Sequence, residues 1–224
     1  MNLSETTHTS TPSKPNDHIN QQSSATIELY EEGTSGYESV LAFANDSYER
    51  DWGSRTAYRP AWFFSVHRLE GVVGCIGLNN RLTSQLFLND PRVSSWQRQH
   101  PERMCDQNFF IARQCSFAGP ILLSLAARLA EVKGINYVAY SGIPASQKTL
   151  ERIGFTTHCL GPVDISIVPT SMQKTLLHWL TANKEAAVYV LATKGSKEYC
   201  QATLQRFQRR VMVSKATLQH LDLE

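Results

Sequence analysis

The 224 residues carry a formal net charge of +2, with 42% hydrophobic and 19% charged side chains. That is enough chain for one generous domain with a real core, and too little net charge to imply nucleic acid or an anionic membrane as a partner. Five cysteines, at 75, 105, 115, 159 and 200, are odd in number and never in C-x-x-C spacing, which argues against a disulfide frame or a zinc site and for reduced thiols in a cytoplasmic protein with no metal.

Residues 1–24 are rich in Ser, Thr, Asn, Gln and Pro and poor in large apolar side chains, a composition expected to stay disordered. The segment lacks the apolar stretch of a signal peptide, and no later run approaches the roughly 20 apolar residues of a membrane span. A single domain is expected over 25–224.

The first strand is expected at Thr26 to Glu31. Tyr37, Val40, Leu41, Phe43, Ala44 and Tyr48 then recur at helical spacing, with Gly53 as the stop signal. Trp62 to Leu69, a Glu70-Gly71 turn and Val72 to Leu78 read as a hairpin. A short helix follows in "LTSQLFLNDPR", closed by Asp90-Pro91, and 92–107 reads as polar and irregular. Strand 109–117, helix 120–132 and strand 135–141 come next. In that helix Leu122, Leu125, Ala126, Leu129 and Val132 form the core-facing stripe and Arg128 points to solvent. "IPASQKTLERIGF" is a helix capped by Gly154, leading into a strand at Phe155. "VDISIVP" is another strand or an extended crossing, "TSMQKTLLHWLTANK" an amphipathic helix and "AAVYVLATKG" a strand. "KEYCQATLQRFQRRVMV" closes the chain as a helix with Leu204, Phe207 and Val211 on one side. Cys75, Cys115 and Cys159 sit in apolar, strand-like contexts and read as small buried hydrophobes.

This order gives an α/β (α+β) fold with a mixed sheet, antiparallel at the start and parallel in the middle. It lacks the Gly-rich first turn of a doubly wound dinucleotide fold. The strand–turn–helix from Phe109 to Val132, followed by "SQKTLERIGF" at 146–155, resembles the GNAT N-acetyltransferases. "GVVGCIGLNNRLTSQLFLNDP", a polar stretch and then "FFIARQCSFAG" resemble the bacterial family called thermostable hemolysins. Acyl-homoserine lactone synthases are more distantly similar. The resemblance covers roughly residues 37–162, and leaves 166–224 less defined.

The resemblance implies an N-acyltransferase that moves an acyl group from a thioester donor, acyl-CoA or acyl carrier protein, to a small amine. No tightly bound cofactor is implied. The alternative is a non-catalytic binding or lytic factor of the same fold. Backbone amides of Phe117, Ala118, Gly119 and Ile121, at the positive end of helix 120–132, would line the donor site. Pro120 has no N–H to offer and suits the first helical position. The fold places residues 113–116 nearest the chemistry, with Gln114 and Ser116 as candidates on that strand and Tyr140 on the strand that splays from it. Ser146 opens the following helix, as a cap-region hydroxyl or a donor contact.

Overall fold

The computed structural model describes residues 25–224 apart from 54, 113, 114 and 116. The expected disordered tail lies outside the described residues. Eight strands form one mixed sheet: β1 (Ala25–Glu31), β2 (Trp62–Arg68), β3 (Gly71–Leu78), β4 (Met104–Ile111), β5 (Tyr137–Gly142), β6 (Thr157–Pro162), β7 (Ala187–Ala192) and β8 (Val211–Val213). Their order across the sheet is β6-β7-β5-β4-β3-β2-β1-β8. Only β4 with β5 and β1 with β8 run parallel; every other neighbouring pair is antiparallel.

One face of the sheet carries α4 (Ala118–Val132), α5 (Pro144–Ile153), α7 (Ser196–Phe207) and α8 (Lys215–His220). The other carries α1 (Tyr37–Trp52), α2 (Gln85–Leu88), α3 (Pro91–Gln99) and α6 (Thr170–Ala182). Helix α1 behaves as its sequence implies: Tyr37, Val40, Leu41 and Ala44 are buried at helical spacing, and Gly53 ends the helix with φ 73°. No described helix is long and apolar enough to cross a membrane.

Several boundaries differ from expectation for identifiable reasons. Asp90-Pro91 starts a helix instead of ending one. The Asp90 side chain accepts from the Arg92 amide as an N-cap, and Pro91 takes the first helical position, where its missing N–H is harmless. The segment expected to be irregular therefore contains α3 and the first half of β4. Strand β4 runs over 104–111, not 109–117, and α4 starts at Ala118, which makes Pro120 its third residue. The second strand of that unit is Tyr137–Gly142, and "VDISIVP" is a 3-10 turn over Ile165–Ile167. The closing helix stops at Phe207; Val211–Val213 pair with β1, and α8 follows.

Arg128 is the sharpest correction. Helix α4 is buried nearly all round, because α7 and the chain end cover the side turned away from the sheet. Arg128 is 7% exposed, and its guanidinium reaches the Leu221 carbonyl, Glu131 and Asp222. Val132, placed on the core stripe, is instead exposed at the helix end. Cys75 and Cys115 are buried as expected, whereas Cys159 is exposed on the outer strand β6.

Candidate functional site

Strands β4 and β5 pair side by side for only three residues, Met104↔Tyr137, Cys105↔Val138 and Asp106↔Ala139. Beyond that point they diverge toward their C-terminal ends, where α4 and α5 begin. In open α/β sheets this is the end at which ligands bind. The last paired residue on β4 is held firmly. The buried Asp106 carboxylate accepts from Asn79 Nδ2 at 2.6 Å and from the backbone amides of Thr83 and Ser84 at 2.8 and 2.6 Å. With its oxygens so committed, Asp106 anchors loop 79–84 and is a poor candidate for a proton carrier.

Just past the divergence β4 carries a bulge. Gly77 faces Asn108 and Ile76 faces Phe110, so Phe109 is the extra residue, with φ at 56°. The Phe109 ring is buried against Tyr48 at 4.9 Å and Phe63 at 5.7 Å between centroids. Opposite it the strand needs glycine: a β-carbon on Gly77 would lie 2.6 Å from the Asn108 carbonyl oxygen and 2.5 Å from Pro60 Cγ. Burial pushes the Tyr48 phenol well above its usual range, Cys75 adds to this, and the nearby Phe110 backbone amide pulls the other way. The Asn108 side chain places Nδ2 in the interior with no hydrogen-bond partner.

On the β5 side, Tyr140 is 2% exposed, stacks on Tyr189 at 5.2 Å, and leaves its hydroxyl without a partner. Burial first, then Tyr189, Glu151 and Cys159, raise its pKa far above that of a free phenol. Tyr140 is therefore an O–H donor at any ordinary pH. Ser146 is the third residue of α5, and both its Cβ and the Tyr140 ring lie within 3.5 Å of where a Gly142 β-carbon would sit. The structure thus gathers Tyr140, Gly142 and Ser146 at the mouth of the divergence.

Of the other expected site residues, Gln114 and Ser116 lie outside the described residues. Phe117, Ala118 and Ile121 have buried side chains, so only their backbone could meet a ligand. Ala118 N–H is already bonded to the Cys115 carbonyl at 2.9 Å, and Ile121 lies beyond Pro120, one turn into the helix. A β-carbon added to Gly119 would meet Phe110 Cζ at 3.6 Å, an ordinary contact. Beside the start of α4 runs an open groove of about 380 Å3, lined among others by Pro120, Thr149, Arg152, Thr203, Arg206 and Phe207. Among the described residues Arg152 and Arg206 form no ion pair, and both are exposed; Arg206 lies over the Phe207 ring at 5.5 Å. Arg68 lies over the Phe117 ring at 6.0 Å on another side of the same helix end. Unpaired guanidinium groups around a helix N-terminus suit an anion such as a phosphate.

Sequence reasoning missed Asn108 and the two groove arginines. The one available signal was glycine inside β3, since Gly74 and Gly77 mark close backbone approach in a strand. Among the described residues no cluster of three or more His, Cys, Asp or Glu could hold a metal ion.

No known family profile matches the chain, and no curated protein matches it. Solved structures do. The N-acyl amino acid synthase FeeM from uncultured soil microbes is 16% identical, with 84% of this chain and 99% of that one covered and a TM-score of 0.53. The CoA-dependent acyl-homoserine lactone synthase BjaI, solved with SAM and isopentyl-CoA, is 11% identical over 89% of this chain and 100% of its own, with a TM-score of 0.52. A second CoA-dependent acyl-homoserine lactone synthase, MesI, is 17% identical over 81% and 95%, also at 0.52. With its eight-stranded mixed sheet, diverging central strands and flanking helices, the chain has a GNAT-like acyltransferase fold.

Proposed function

We propose that the protein is an N-acyltransferase that moves an acyl group from a phosphopantetheine thioester, carried by CoA or an acyl carrier protein, to the amine of an amino acid or a related small molecule. The observation that carries this is the divergence of β4 from β5 directly after Asp106↔Ala139, opening toward the start of α4. Such a gap leaves strand backbone groups without sheet partners, free to hold an extended pantetheine arm by hydrogen bonds. The arginine-flanked groove supplies the counter-charge for the donor's phosphates. The amino-acid acceptor is suggested by the activity of FeeM, and S-adenosylmethionine by the ligand in BjaI.

Acyl transfer needs the thioester carbonyl polarised, the amine deprotonated and the leaving thiolate protonated. Tyr140, whose hydroxyl stays protonated, suits a hydrogen bond to the departing sulfur, while the proton that neutralises the thiolate comes from the attacking amine. Ser146 on α5 suits a contact to the arm, and the first amides of α4 around Gly119 suit the phosphates. Gln114 and Ser116 are kept as candidates on the segment between β4 and α4.

The test is direct. Purified protein is incubated with acyl-CoA from acetyl to dodecanoyl, or with the same acyl groups on an acyl carrier protein, and with a panel of amino acids and S-adenosylmethionine. Thiol release and amide products are followed by mass spectrometry. Thiol release that requires both donor and amine is the expected result. Its absence with every donor would overturn the proposal.

A further inference from the structure

Five buried side-chain nitrogen or oxygen atoms among the described residues have no hydrogen-bond partner: Arg68 Nε, Trp96 Nε1, Asn108 Nδ2, Tyr140 Oη and His220 Nε2. Two of these, on Asn108 and Tyr140, stand on the two strands that diverge, within two residues of the last pair Asp106↔Ala139. Buried donors are nearly always paired in native proteins, so a pair left open at one place calls for a partner that binds there.

Their directions differ. Asp106 faces the α1 side, where it meets Asn79 and Thr83. Strand alternation then puts Asn108 on that same side, ahead of the bulge at Phe109. Tyr140 faces α4 and α5, packed with the core that includes Leu150 and Phe155. The two open donors therefore stand on opposite faces of the sheet, one on each of the diverging strands. Asn108 lies about 10 Å along the strand from its end at Ile111, at the rise of an extended chain. That is deep in the gap, where the reacting end of an arm anchored at α4 would arrive.

We propose that Asn108 is a catalytic residue whose side-chain amide donates a hydrogen bond to the thioester carbonyl oxygen. This rests on the acyl-transfer reading above. The amine nitrogen attacks the carbonyl carbon from the α1 side, and the C=O π pair moves onto oxygen, where Asn108 Nδ2–H meets it. Collapse re-forms C=O and breaks the C–S bond. The thiolate departs toward Tyr140 and takes up one proton as the amine loses one, giving an amide and a free thiol. The bulge at Phe109 follows Asn108 directly and breaks the β3–β4 ladder beside it.

The experiment measures binding of octanoyl-CoA and of S-octyl-CoA, a thioether with no carbonyl, by calorimetry on the parent and on Asn108→Leu. The parent should prefer the thioester by about tenfold, the worth of one hydrogen bond. Asn108→Leu should lose that preference while melting no lower than the parent, because it removes an unpartnered buried donor. With a reactive amine present, its kcat should fall about 100-fold or more, with a much smaller change in KM. Asn108→Asp, of the same shape but without the N–H donors, provides the same comparison should the leucine variant misfold. Retention of the thioester preference by the variants, equal binding of both ligands by the parent, or a melting loss of several degrees in both variants would overturn the role of Asn108 while leaving the donor site standing. If the parent binds neither CoA compound nor octanoyl acyl carrier protein, the acyl-transfer reading itself fails and this role with it.

Discussion

Arg128 Nε donates to the Leu221 carbonyl oxygen at 2.8 Å, joining the middle of the central helix to the end of the chain. The same guanidinium contacts Glu131 and Asp222, and Leu221 is itself fully buried. Removing the arginine would leave a buried carbonyl without its donor and Glu131 without its counter-charge. Arg128→Ala should therefore cost about 3 kcal/mol in urea unfolding. Arg128→Lys should recover only part of this, since an ammonium cannot span the same acceptors as a planar fork. A loss below half a kcal/mol for the alanine variant would mean that the chain end is held by Leu221 and Leu223 packing alone.

Gly154 closes α5 with φ at 119°, and the amides of Gly154 and Phe155 both return to the Leu150 carbonyl. A β-carbon there would sit 2.6 Å from the Tyr199 ring. Gly154→Ala meets both backbone strain and a clash, so a loss of roughly 2–4 kcal/mol is expected. Tyr199→Leu in the same background should recover the share due to the clash. Equal melting temperatures for Gly154→Ala and the parent would count against this geometry.

How much of this was legible depended on whether local pattern and tertiary burial agreed. The Gly154 stop, the β2–β3 hairpin and the strand–helix–strand centre were readable because Gly, turn and apolar period coincide there. The start of β4 was not, since "MCDQN" has a polar pattern whose Asp106 is satisfied only by residues of loop 79–84. Strand β8 was hidden because "VMV" continues the apolar rhythm of α7, and only β1 as a distant partner makes it a strand. Of the candidate site residues, Gly119, Tyr140 and Ser146 were reached through the resemblance to the acyltransferase order of elements. Asn108 was not, because the polar pattern of "MCDQN" hid the strand that carries it. Arg152 and Arg206 come together only through the packing of α5 and α7 around α4.

The start of α4 offers a test of donor binding that spares the fold. A β-carbon on Gly119 would be 3.6 Å from Phe110 Cζ, an ordinary contact. Gly119→Asp should thus fold normally, and its charge near the helix N-terminus is favourable to the helix itself. The same charge repels phosphate, so CoA affinity should drop more than about tenfold. Arg152→Glu and Arg206→Glu should each weaken binding with a reduced salt dependence and leave melting almost unchanged. Undiminished CoA binding by a folded Gly119→Asp protein would move the donor's phosphates elsewhere.

Glu131 supplies a pH signature. Burial alone would raise its pKa, but hydrogen bonds from the Ser196 hydroxyl and the Gly195 amide, together with Arg128, outweigh it and hold the carboxyl below 4.5. A carboxylate lowered by folding stabilises the native state above its unfolded pKa, and that stability is lost as pH falls through the folded value. Unfolding free energy should therefore decline as the medium is acidified below about pH 4.5, and the decline should be shallower in Glu131→Gln. Identical acid profiles for the two proteins would remove Glu131 from the account.

Leu29 N–H donates to Thr217 Oγ1 across 188 residues of sequence, beside the three-residue pairing of β1 with β8. During synthesis, then, β1 keeps one flank open until Val211–Val213 have followed. An unpaired strand flank is a template for a second chain, so a nascent or C-terminally clipped protein would tend to associate through β1. Premature stop codons before Val211 should consequently appear in cells as aggregates, well before any deficit in the central cleft could be felt.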